Sequence, residues 1–343
     1  MTQPTPLKLS ICIATFNRGA LIGATLESII AQTTNDCEVV ILDGASTDDT
    51  ERVVAEYSRR SDRLRYVRQD RNNGMDRDFD RVVQLARGEY CWLMSDDDLL
   101  KPGAVAAVLE ALRRNYSLVV VAIEIRDSDL STVLLPCRPN FDSARVYGPD
   151  EMDRLFDEAG HHVTYIACVV IKRSIWLDRE REPYYGTLHV HVGVCFQKRL
   201  PGETLVMAEP LIIHRFGNQT WLPKASEMLS KWSSLVESLA ISQSTKRKLS
   251  SQLSINLSTL LAWRAFGVYS LAEYRRWIRP RLRSTRDAVI PTLVALLPGV
   301  LVNAICVLYY SIVGSDDFAR RGVMIMLRGS RFHVRNWLAF KGR

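Results

Sequence analysis

Short apolar runs alternate along the first 125 residues with segments in which apolar residues recur at helical spacing. The apolar runs lie at residues 9–15, 38–42, 64–68, 89–94 and 118–125. Runs of this length are typical of buried strands, and the spacing of apolar residues at 21–30 and 75–86 favours amphipathic helices between them. Such an alternation predicts an α/β fold with a mostly parallel central sheet and helices on both faces.

Polar side chains cluster directly after three of these predicted strands. The clusters are Thr15–Arg18, Asp43–Asp49 and Ser95–Asp98. Ligands of such sheets bind beyond the carboxyl ends of the strands, so the clusters predict a ligand cleft. The chain has no GxGxxG pattern after the first strand and no GxxxxGKS or GxxxxGKT pattern anywhere. Their absence disfavours a dinucleotide-dependent dehydrogenase and a P-loop NTPase.

Asp96, Asp97 and Asp98 form the acidic cluster after the fourth predicted strand. Three adjacent carboxylates repel one another unless a cation or a basic group neutralises them. Carboxylate oxygens suit Mg²⁺ or Mn²⁺, and either ion would in turn bind a diphosphate. The alternative is that the acids cap the helix that begins near Pro102. The polar clusters after the other strands favour a metal–diphosphate site.

Three motifs in this order resemble those of the family 2 glycosyltransferases, which have the GT-A fold. They are SICIATFNR at 10–18, DGASTDDT at 43–50 and WLMSDDD at 92–98, followed by Pro102 and Gly103. The Ser-Asp-Asp-Asp form and the later LHVHV segment at 188–192 are most similar to bacterial abequosyltransferase-type enzymes of O-antigen assembly. The resemblance covers residues 8–125 well and weakens towards residue 220. It implies a Rossmann-like GT-A domain that transfers a sugar from a nucleoside-diphosphate sugar to a hydroxyl of a lipid-linked saccharide.

The resemblance also implies roles for individual residues. Asp97 would be the second carboxylate of the family's Asp-x-Asp motif and a ligand of Mg²⁺ or Mn²⁺. Ser95 stands where the family has the first Asp, so Asp98 or Asp96 would complete the metal site. The residues expected to line the nucleotide-sugar pocket are Thr15, Asn17, Arg18, Asp43, Arg71, Asn73 and Asp96.

Inverting members of this family use an Asp at the start of a later helix to remove the proton from the acceptor hydroxyl. In this chain a helix is predicted over 187–200, and its start holds His189 and His191 but no acid. Histidine, with an ordinary pKa of about 6.5, suits a base near neutral pH. Residues i and i+2 do not share a helix face, so we expect one of the two, His191 before His189, to point into the site. The alternative for each is a core or capping histidine.

Three further features of the second half concern the cleft. A strand is predicted over 163–171, and the polar stretch 178–186 predicts a mobile loop near the cleft. His214 and Arg215 follow the apolar run 210–213. Similar positions in the family lie near the diphosphate or the acceptor, and Arg215 would offset charge on the leaving group. The alternative is that both residues lie at an exposed strand end.

The net charge of +7 divides unevenly along the chain. Residues 1–222 carry 26 Lys/Arg against 32 Asp/Glu, whereas residues 223–343 carry 19 against 6 and have a net charge of +13. This split disfavours a uniformly basic nucleic-acid-binding protein. It predicts a catalytic domain over 1–222 and a basic helical region over 223–343 that meets an anionic partner.

The uncharged segment 288–315 lies between two basic groups, six Arg in 275–286 and seven Lys/Arg in 320–343. A membrane span needs about 20 apolar residues. Pro291 and Pro298 interrupt this run, however, and a single span would place one basic flank outside, against the positive-inside tendency. We therefore expect a re-entrant hairpin or an interfacial helix at an anionic membrane surface. The alternatives are a span, a soluble core and a dimer contact.

These features together predict the location and partners of the protein. Seven scattered cysteines without a CxxC pair predict reduced, mostly buried thiols in a cytoplasmic protein. The basic region with its uncharged segment predicts peripheral association with the inner face of the cytoplasmic membrane. The expected partners are a nucleoside-diphosphate sugar, a lipid-linked saccharide, the membrane surface and, through the C-terminal helices, a second copy of the chain. Two other functions stay open: a polyprenyl-phosphate glycosyltransferase, whose acceptor needs little base, and a catalytically silent nucleotide-sugar-binding scaffold, favoured by Ser95 and the missing acid.

Overall fold

The computed structural model describes residues 7–218, 222–252, 256–282, 284–314 and 317–341. The chain divides into two compact units. The first unit comprises Met1–Arg126, Leu135–Arg215 and Leu235–Arg247, and the second comprises Asp127–Leu134, Phe216–Ser234 and Lys248–Arg343. The domain boundary predicted between residues 222 and 223 stays a prediction.

A mixed sheet is the centre of the first unit. Its order in the described part of the chain is β3-β2-β1-β4-β9-β6-β10-β5, with β7 beside β6 and β8 beside β10. The strands are β1 (Leu9–Thr15), β2 (Cys37–Asp43), β3 (Leu64–Arg68), β4 (Tyr90–Met94), β5 (Leu99–Leu100), β6 (Leu118–Arg126), β7 (Val133–Arg138), β8 (Arg145–Tyr147), β9 (Val169–Lys172) and β10 (Thr204–Arg215).

The strands that carry the polar clusters are neighbours in this sheet. β1 pairs in parallel with β2 on one side and with β4 on the other. All three are buried, as expected of strands covered on both faces. Thr15 lies opposite Asp43 in the register, so the carboxyl ends of β1, β2 and β4 open on one edge. β9 is antiparallel to β4 and β6. The predicted α/β class with a mostly parallel sheet is thus confirmed.

Helices connect the strands of the first unit. They are α1 (Gly19–Ile30), α2 (Thr50–Ser58), α3 (Met75–Leu85), α4 (Ala104–Leu112), α5 (Met152–Val163), α6 (Arg173–Leu177) and α7 (Val190–Phe196), with 3₁₀ turns at Ile166–Cys168 and Glu182–Tyr184. The elements predicted for the first 125 residues are confirmed, with small shifts at their ends.

The second half of the first unit departs from the predictions. Helix α5 continues to Val163 and β9 begins only at Val169, so the strand predicted over 163–171 is wrong for residues 163–168. A short apolar run does not by itself distinguish a strand from a buried helix end. The helix predicted over 187–200 is limited to α7: it begins only at Val190, since Leu188 has a left-handed φ of 64°, and it ends at Phe196. His214 and Arg215 lie within the end of β10, not beyond it.

The described chain beyond Arg215 is mostly helical. Its helices are α8 (Ala225–Ser238), α9 (Gln243–Gln252), α10 (Leu257–Phe266), α11 (Leu271–Glu273), α12 (Thr285–Leu296), α13 (Gly299–Val313), α14 (Phe318–Gly329) and α15 (Val334–Lys341), with a π-helical turn at Tyr274–Ile278 and 3₁₀ turns at Leu222–Lys224 and Arg279–Arg281. In the second unit, α10, α13 and α14 pack around a cluster that contains Ala265, Val302 and Leu327.

The uncharged segment forms α12 and α13. Over the described ranges, no single helix has the length and apolar composition to cross a membrane. α12 and α13 reach that length and composition only as a pair, and they are bent by 90° where they meet. Arg283 and Ser315, which belong to the predicted basic and uncharged segments, lie outside the described residues.

Candidate active site

The loops after β1 and β2 hold each other in place at the carboxyl edge of the sheet. Asn17 adopts a left-handed φ of 54°. Its backbone N–H donates to Ser46 Oγ at 2.8 Å, and its Oδ1 accepts from the Thr47 N–H at 2.8 Å. The Arg18 N–H donates to Thr50 Oγ1, also at 2.8 Å. These crossed hydrogen bonds fix the backbone from which the Arg18 side chain extends.

Asp43 forms the floor of this edge and is fully buried. Its Oδ1 accepts from the Ser46 N–H at 2.8 Å, and its Oδ2 accepts from Tyr66 Oη at 2.6 Å. Asp78 of α3 lies close by, since a Cβ added at Gly44 would be 3.1 Å from Asp78 Oδ2. Burial raises the pKa of Asp78 to about 6, and the negative charge of Asp43 contributes to this shift. The floor is therefore rich in hydrogen-bond acceptors, which suits a ligand with N–H or O–H donors.

Arg71 and Asn73 lie in the exposed loop before α3. Arg71 Nε donates to Asn73 Oδ1 at 3.2 Å, and Asn73 Nδ2 donates to Gln69 Oε1 at 2.7 Å. Gln69 Nε2 in turn donates to Asp78 Oδ1 at 2.6 Å. A chain of hydrogen bonds thus connects the loop to the acidic floor.

The Arg18 side chain reaches from β1 to the acids after β4. Its Nε lies 3.3 Å from Asp96 Oδ1 and its Nη2 lies 3.3 Å from Asp97 Oδ2. Burial, followed by the charges of Asp98 and Asp96, raises the pKa of Asp97 to about 7 although Arg18 opposes the shift. Burial also raises the pKa of Asp96. One guanidinium therefore compensates the negative charge of this cluster only in part.

Asp98 is fully buried and has its own set of donors. Its Oδ2 accepts from Tyr165 Oη at 2.6 Å, while its Oδ1 accepts from His214 Nδ1 at 3.0 Å and from the Arg215 N–H at 2.9 Å. Burial opposes ionisation of Asp98, but His214 and the other donors together hold its pKa below the usual value. Arg215 Nε donates to the carbonyl oxygen of Asp97 at 3.1 Å. The structure thus brings His214 and Arg215 to the acidic cluster.

The donor set determines how a divalent metal would fit. Among the described residues, no group of three or more His, Cys, Asp or Glu side chains is arranged to hold a metal ion. Mg²⁺ is usually held by one or two carboxylates together with substrate phosphates, so a complete protein cage is not required. Asp97 fits that role, since its side chain is 13% exposed and its charge is partly uncompensated. Asp98 stays a predicted ligand, with both of its oxygens engaged by protein donors.

Asp76 of α3 caps the N-terminus of α7. Its Oδ2 accepts from the Leu188 N–H at 2.9 Å, and its Oδ1 accepts from the Val190 N–H at 3.2 Å. The carboxylate is nearly fully buried. It therefore fixes the backbone on both sides of His189, which directly precedes α7, and the residue before His191 in the first turn.

The two histidines differ in exposure. His191 is 1% exposed and its Nε2 lies 3.0 Å from the Thr164 carbonyl oxygen, whereas His189 is half-buried with Nδ1 3.2 Å from the Thr187 carbonyl oxygen. Their ring centroids are 6.0 Å apart. Burial lowers the pKa of His191 to about 3 and that of His189 to about 4. Both imidazoles are therefore neutral at pH 7, and their catalytic role stays a prediction.

A further acid of α3, Asp80, holds the segment in front of α7. Its Oδ1 accepts from Trp176 Nε1 at 2.9 Å and lies 3.1 Å from Arg181 Nε, while its Oδ2 accepts from Tyr185 Oη at 2.5 Å. The stretch 178–186, predicted as a mobile loop, is thus attached to α3. Sequence reasoning missed both of these acids of α3. The available signal was their i, i+4 spacing, which places them on one helix face.

The sequence model of the family described as Glycosyl transferase family 2 matches residues 10–178. The chain is 29% identical over 231 residues to the abequosyltransferase RfbV of Salmonella typhimurium, which is 63% of this chain and 69% of that protein. It is 32% identical over 111 residues to a GalNAc(5)-diNAcBac-PP-undecaprenol beta-1,3-glucosyltransferase of Campylobacter jejuni and 36% identical over 121 residues to a chondroitin synthase of Escherichia coli. These two matches cover 32% and 35% of this chain, and only 36% and 18% of the two relatives.

Two solved structures resemble the whole chain. S. aureus TarS 1-349 in complex with UDP has a TM-score of 0.58 at 14% identity, covering 98% of this chain and 92% of that one. The mannosyltransferase PcManGT from Pyrobaculum calidifontis, in complex with GDP-Man and Mn²⁺, has a TM-score of 0.53 at 13% identity, covering 98% and 88%. At these identities the likeness concerns the fold alone.

Proposed function

We propose a specific reaction for this chain, which belongs to the family 2 glycosyltransferases with the GT-A fold. It transfers a sugar such as a deoxyhexose from a nucleoside diphosphate to a hydroxyl of a lipid-linked saccharide. The product would belong to a cell-surface polysaccharide of the O-antigen type. The names of the abequosyltransferase and of the undecaprenol-linked glucosyltransferase support this donor and acceptor. A lipid-linked acceptor places the enzyme at the inner face of the cytoplasmic membrane.

The observation that carries the proposal is the contact of Arg18 with Asp96 and Asp97 at the carboxyl edge of β1 and β4. A nucleoside would bind beside it, between the ends of β1 and β2, where Asp43 and Asp78 offer acceptors to a base or ribose. Its diphosphate would then lie next to Arg18. The carboxylates of Asp43 and Asp78 would bind the nucleoside, and the Arg18 guanidinium would bind the diphosphate. This arrangement suits a nucleoside diphosphate.

Residues around the diphosphate would stabilise it as a leaving group. Mg²⁺ or Mn²⁺ held by Asp97 and the phosphates would supply positive charge to the departing diphosphate. Arg215, whose Nε donates to the Asp97 carbonyl oxygen, adds a cation on the protein side. Asp98 accepts hydrogen bonds from His214 and from the Arg215 backbone and so holds both residues beside Asp97.

The acceptor hydroxyl must lose a proton, and we propose His191 or His189 as the base. Burial keeps both neutral at pH 7, so each has a lone pair on one ring nitrogen, although the lowered pKa makes each a weaker base than an ordinary histidine. In His191 a proton on Nε2 that donates to the Thr164 carbonyl leaves the lone pair on Nδ1, which has no hydrogen-bond partner within the described chain. In His189 a proton on Nδ1 that donates to the Thr187 carbonyl oxygen places the lone pair on Nε2. The half-buried position of His189 offers the acceptor more access.

A nucleotide screen tests the donor and metal proposals. The full chain is heated with each nucleoside diphosphate, with and without Mn²⁺ or Mg²⁺, and a bound ligand raises the unfolding temperature. We expect Asp97→Asn to lose the metal-dependent part of this stabilisation and sugar transfer with it. Asp62→Asn is the matched control, since its side chain is 92% exposed and lies outside the polar clusters. An Asp97→Asn enzyme with unchanged metal dependence would contradict the assignment.

A second experiment tests the base and the acceptor class. The His189→Ala/His191→Ala variant should keep donor binding but lose transfer to a hydroxyl by about 100-fold or more. Full activity of this variant would favour a phosphate acceptor such as a polyprenyl phosphate. Tight nucleotide binding by the unmodified chain without transfer to any membrane-extract acceptor would favour a silent scaffold instead.

A further inference from the structure

The bent helix pair of the second unit exposes apolar side chains along one face of each helix. On α13, Leu301, Ile305, Leu308 and Ile312 follow one another at intervals of three or four residues, and they are 54–75% exposed. The opposite face is packed: Asn303 is fully buried and its Nδ2 donates to the Ala265 and Leu327 carbonyl oxygens at 3.0 and 2.9 Å. An exposed apolar face of this extent marks an interaction surface.

Positive charge lies on both sides of this apolar face along the chain. Arg276 and Arg286 precede it and are exposed, and Arg328 and Arg331 follow it and are exposed as well. Residues 288–314, which are all described, contain no charged side chain. An apolar face between basic flanks complements a surface that is apolar inside and anionic at its boundary.

A cavity of about 420 Å³ opens beside the end of α13. Tyr310 and Ser311 of α13 and Arg321 and Arg328 of α14 are among its lining residues, and no acid of the described chain lines it. Arg321 Nη2 donates to the Leu134 carbonyl oxygen at 3.0 Å, and its buried Nε has no hydrogen-bond partner within the described ranges. Two guanidinium groups that line the same cavity suit a phosphate group.

We propose that the second unit binds the surface of an anionic lipid bilayer. The exposed face of α12 and α13 inserts among the acyl chains, and the cavity at Arg321 and Arg328 binds the phosphate of a lipid headgroup. The position of the cavity beside the apolar face of α13 favours a lipid phosphate, because one lipid molecule offers both chemistries. This inference rests on the proposed function only for its purpose, which is to bring the enzyme to a lipid-linked acceptor.

Co-sedimentation of the full chain with vesicles tests the proposal. Vesicles of phosphatidylcholine alone are compared with vesicles that also contain phosphatidylglycerol, and binding to the anionic vesicles should be stronger and should fall with salt. Leu308→Ser/Ile312→Ser should lose binding to both kinds of vesicle. Arg328→Gln should weaken only the anionic preference, by about fivefold, and Arg321→Gln/Arg328→Gln should weaken it further.

Two matched controls separate the surface from general effects. Leu338→Ser removes an equally exposed leucine on α15, and Arg113→Gln removes an exposed arginine of the first unit. Both should bind vesicles like the unmodified chain. Equal binding to neutral and anionic vesicles, or an unchanged anionic preference in Arg328→Gln, would overturn the headgroup site.

Other occupants give different results. Stabilisation by inorganic phosphate without vesicle binding would identify a site for free phosphate and refute the proposal. A dimer that is lost in Leu308→Ser/Ile312→Ser, again without vesicle binding, would show that a second copy covers the face. Failed vesicle binding with intact transfer to a soluble acceptor would refute this inference alone, whereas intact vesicle binding without transfer would refute the proposed function alone.

Discussion

Asp76 offers the sharpest test of how α3 holds the start of α7, where the two proposed bases lie. In Asp76→Asn one carboxylate oxygen becomes an amide nitrogen, which cannot accept a hydrogen bond, so either the Leu188 or the Val190 N–H loses its partner. A hydrogen bond to a charged group contributes about 1.5–3 kcal/mol. The bond that remains changes from charge-assisted to neutral and loses about half its strength. Together these changes should destabilise the start of α7 by about 2–4 kcal/mol.

Backbone hydrogen exchange measures this local loss directly. A change of about 2–4 kcal/mol corresponds to roughly 30- to 1,000-fold faster exchange of the amides around 188–190. Leu188 has a φ of 64°, which costs a non-glycine residue about 1 kcal/mol or more. Leu188→Gly in the Asp76→Asn background should therefore recover about 1 kcal/mol of the lost stability at the start of α7. If the cap positions the histidines, kcat should fall while the donor KM is unchanged.

The control for this experiment is Asp62→Asn, whose side chain is 92% exposed. It should leave both exchange and kinetics unchanged. Unaltered exchange at 188–190 in Asp76→Asn would refute the capping argument. Faster exchange with an unchanged kcat would preserve the cap and refute the link between α7 and transfer.

Three further predictions concern buried groups. Burial lowers the pKa of His162 to about 3, so acid favours the unfolded chain below the ordinary histidine pKa of about 6.5. From pH 7 to pH 5, His162 alone should lower the free energy of unfolding by about 2 kcal/mol, in addition to the contributions of His189 and His191. Urea titrations of His162→Gln should show a fall that is smaller by this amount. A Cβ at position 193 would lie 2.2 Å from the Tyr184 ring, so Gly193→Ala should destabilise the protein by about 1–3 kcal/mol. The same substitution should cost less in a Tyr184→Ala background, and equal losses in both backgrounds would contradict the clash. Tyr165→Phe removes one donor to Asp98 and should cost about 1.5–3 kcal/mol in thermal unfolding; an unchanged unfolding temperature would show that this hydrogen bond contributes nothing.

The N-terminal half of the sheet and its polar edge follow from local patterns. The apolar runs that become β1, β2 and β4 are each followed by the polar residues that lie at the ligand edge. A parallel strand–helix repeat places such ends together whatever the details of packing. For the same reason the sequence predicts that Arg18, Asp43 and Asp97 lie at one edge of the sheet.

The contacts between distant segments did not follow from local patterns. Asp98 and His214 are 116 positions apart, and Asp76 and Leu188 are 112 apart. Both pairs meet only because β10 and α3 pack beside the ends of other elements, and no period along the chain encodes such a meeting. The burial of His191 has the same origin, since its partner is the carbonyl of Thr164 after α5.

The sequence alone determined the α/β class, the polar edge of the sheet and the uncharged C-terminal segment, because each depends on hydropathy and charge within a short window. The tertiary structure decided which of these groups are accessible. It buried Asp98 among Tyr165, His214 and Arg215, and left one face of α13 exposed. The physical reason is that burial and hydrogen bonding depend on the neighbours that packing supplies, and these are distant in the chain.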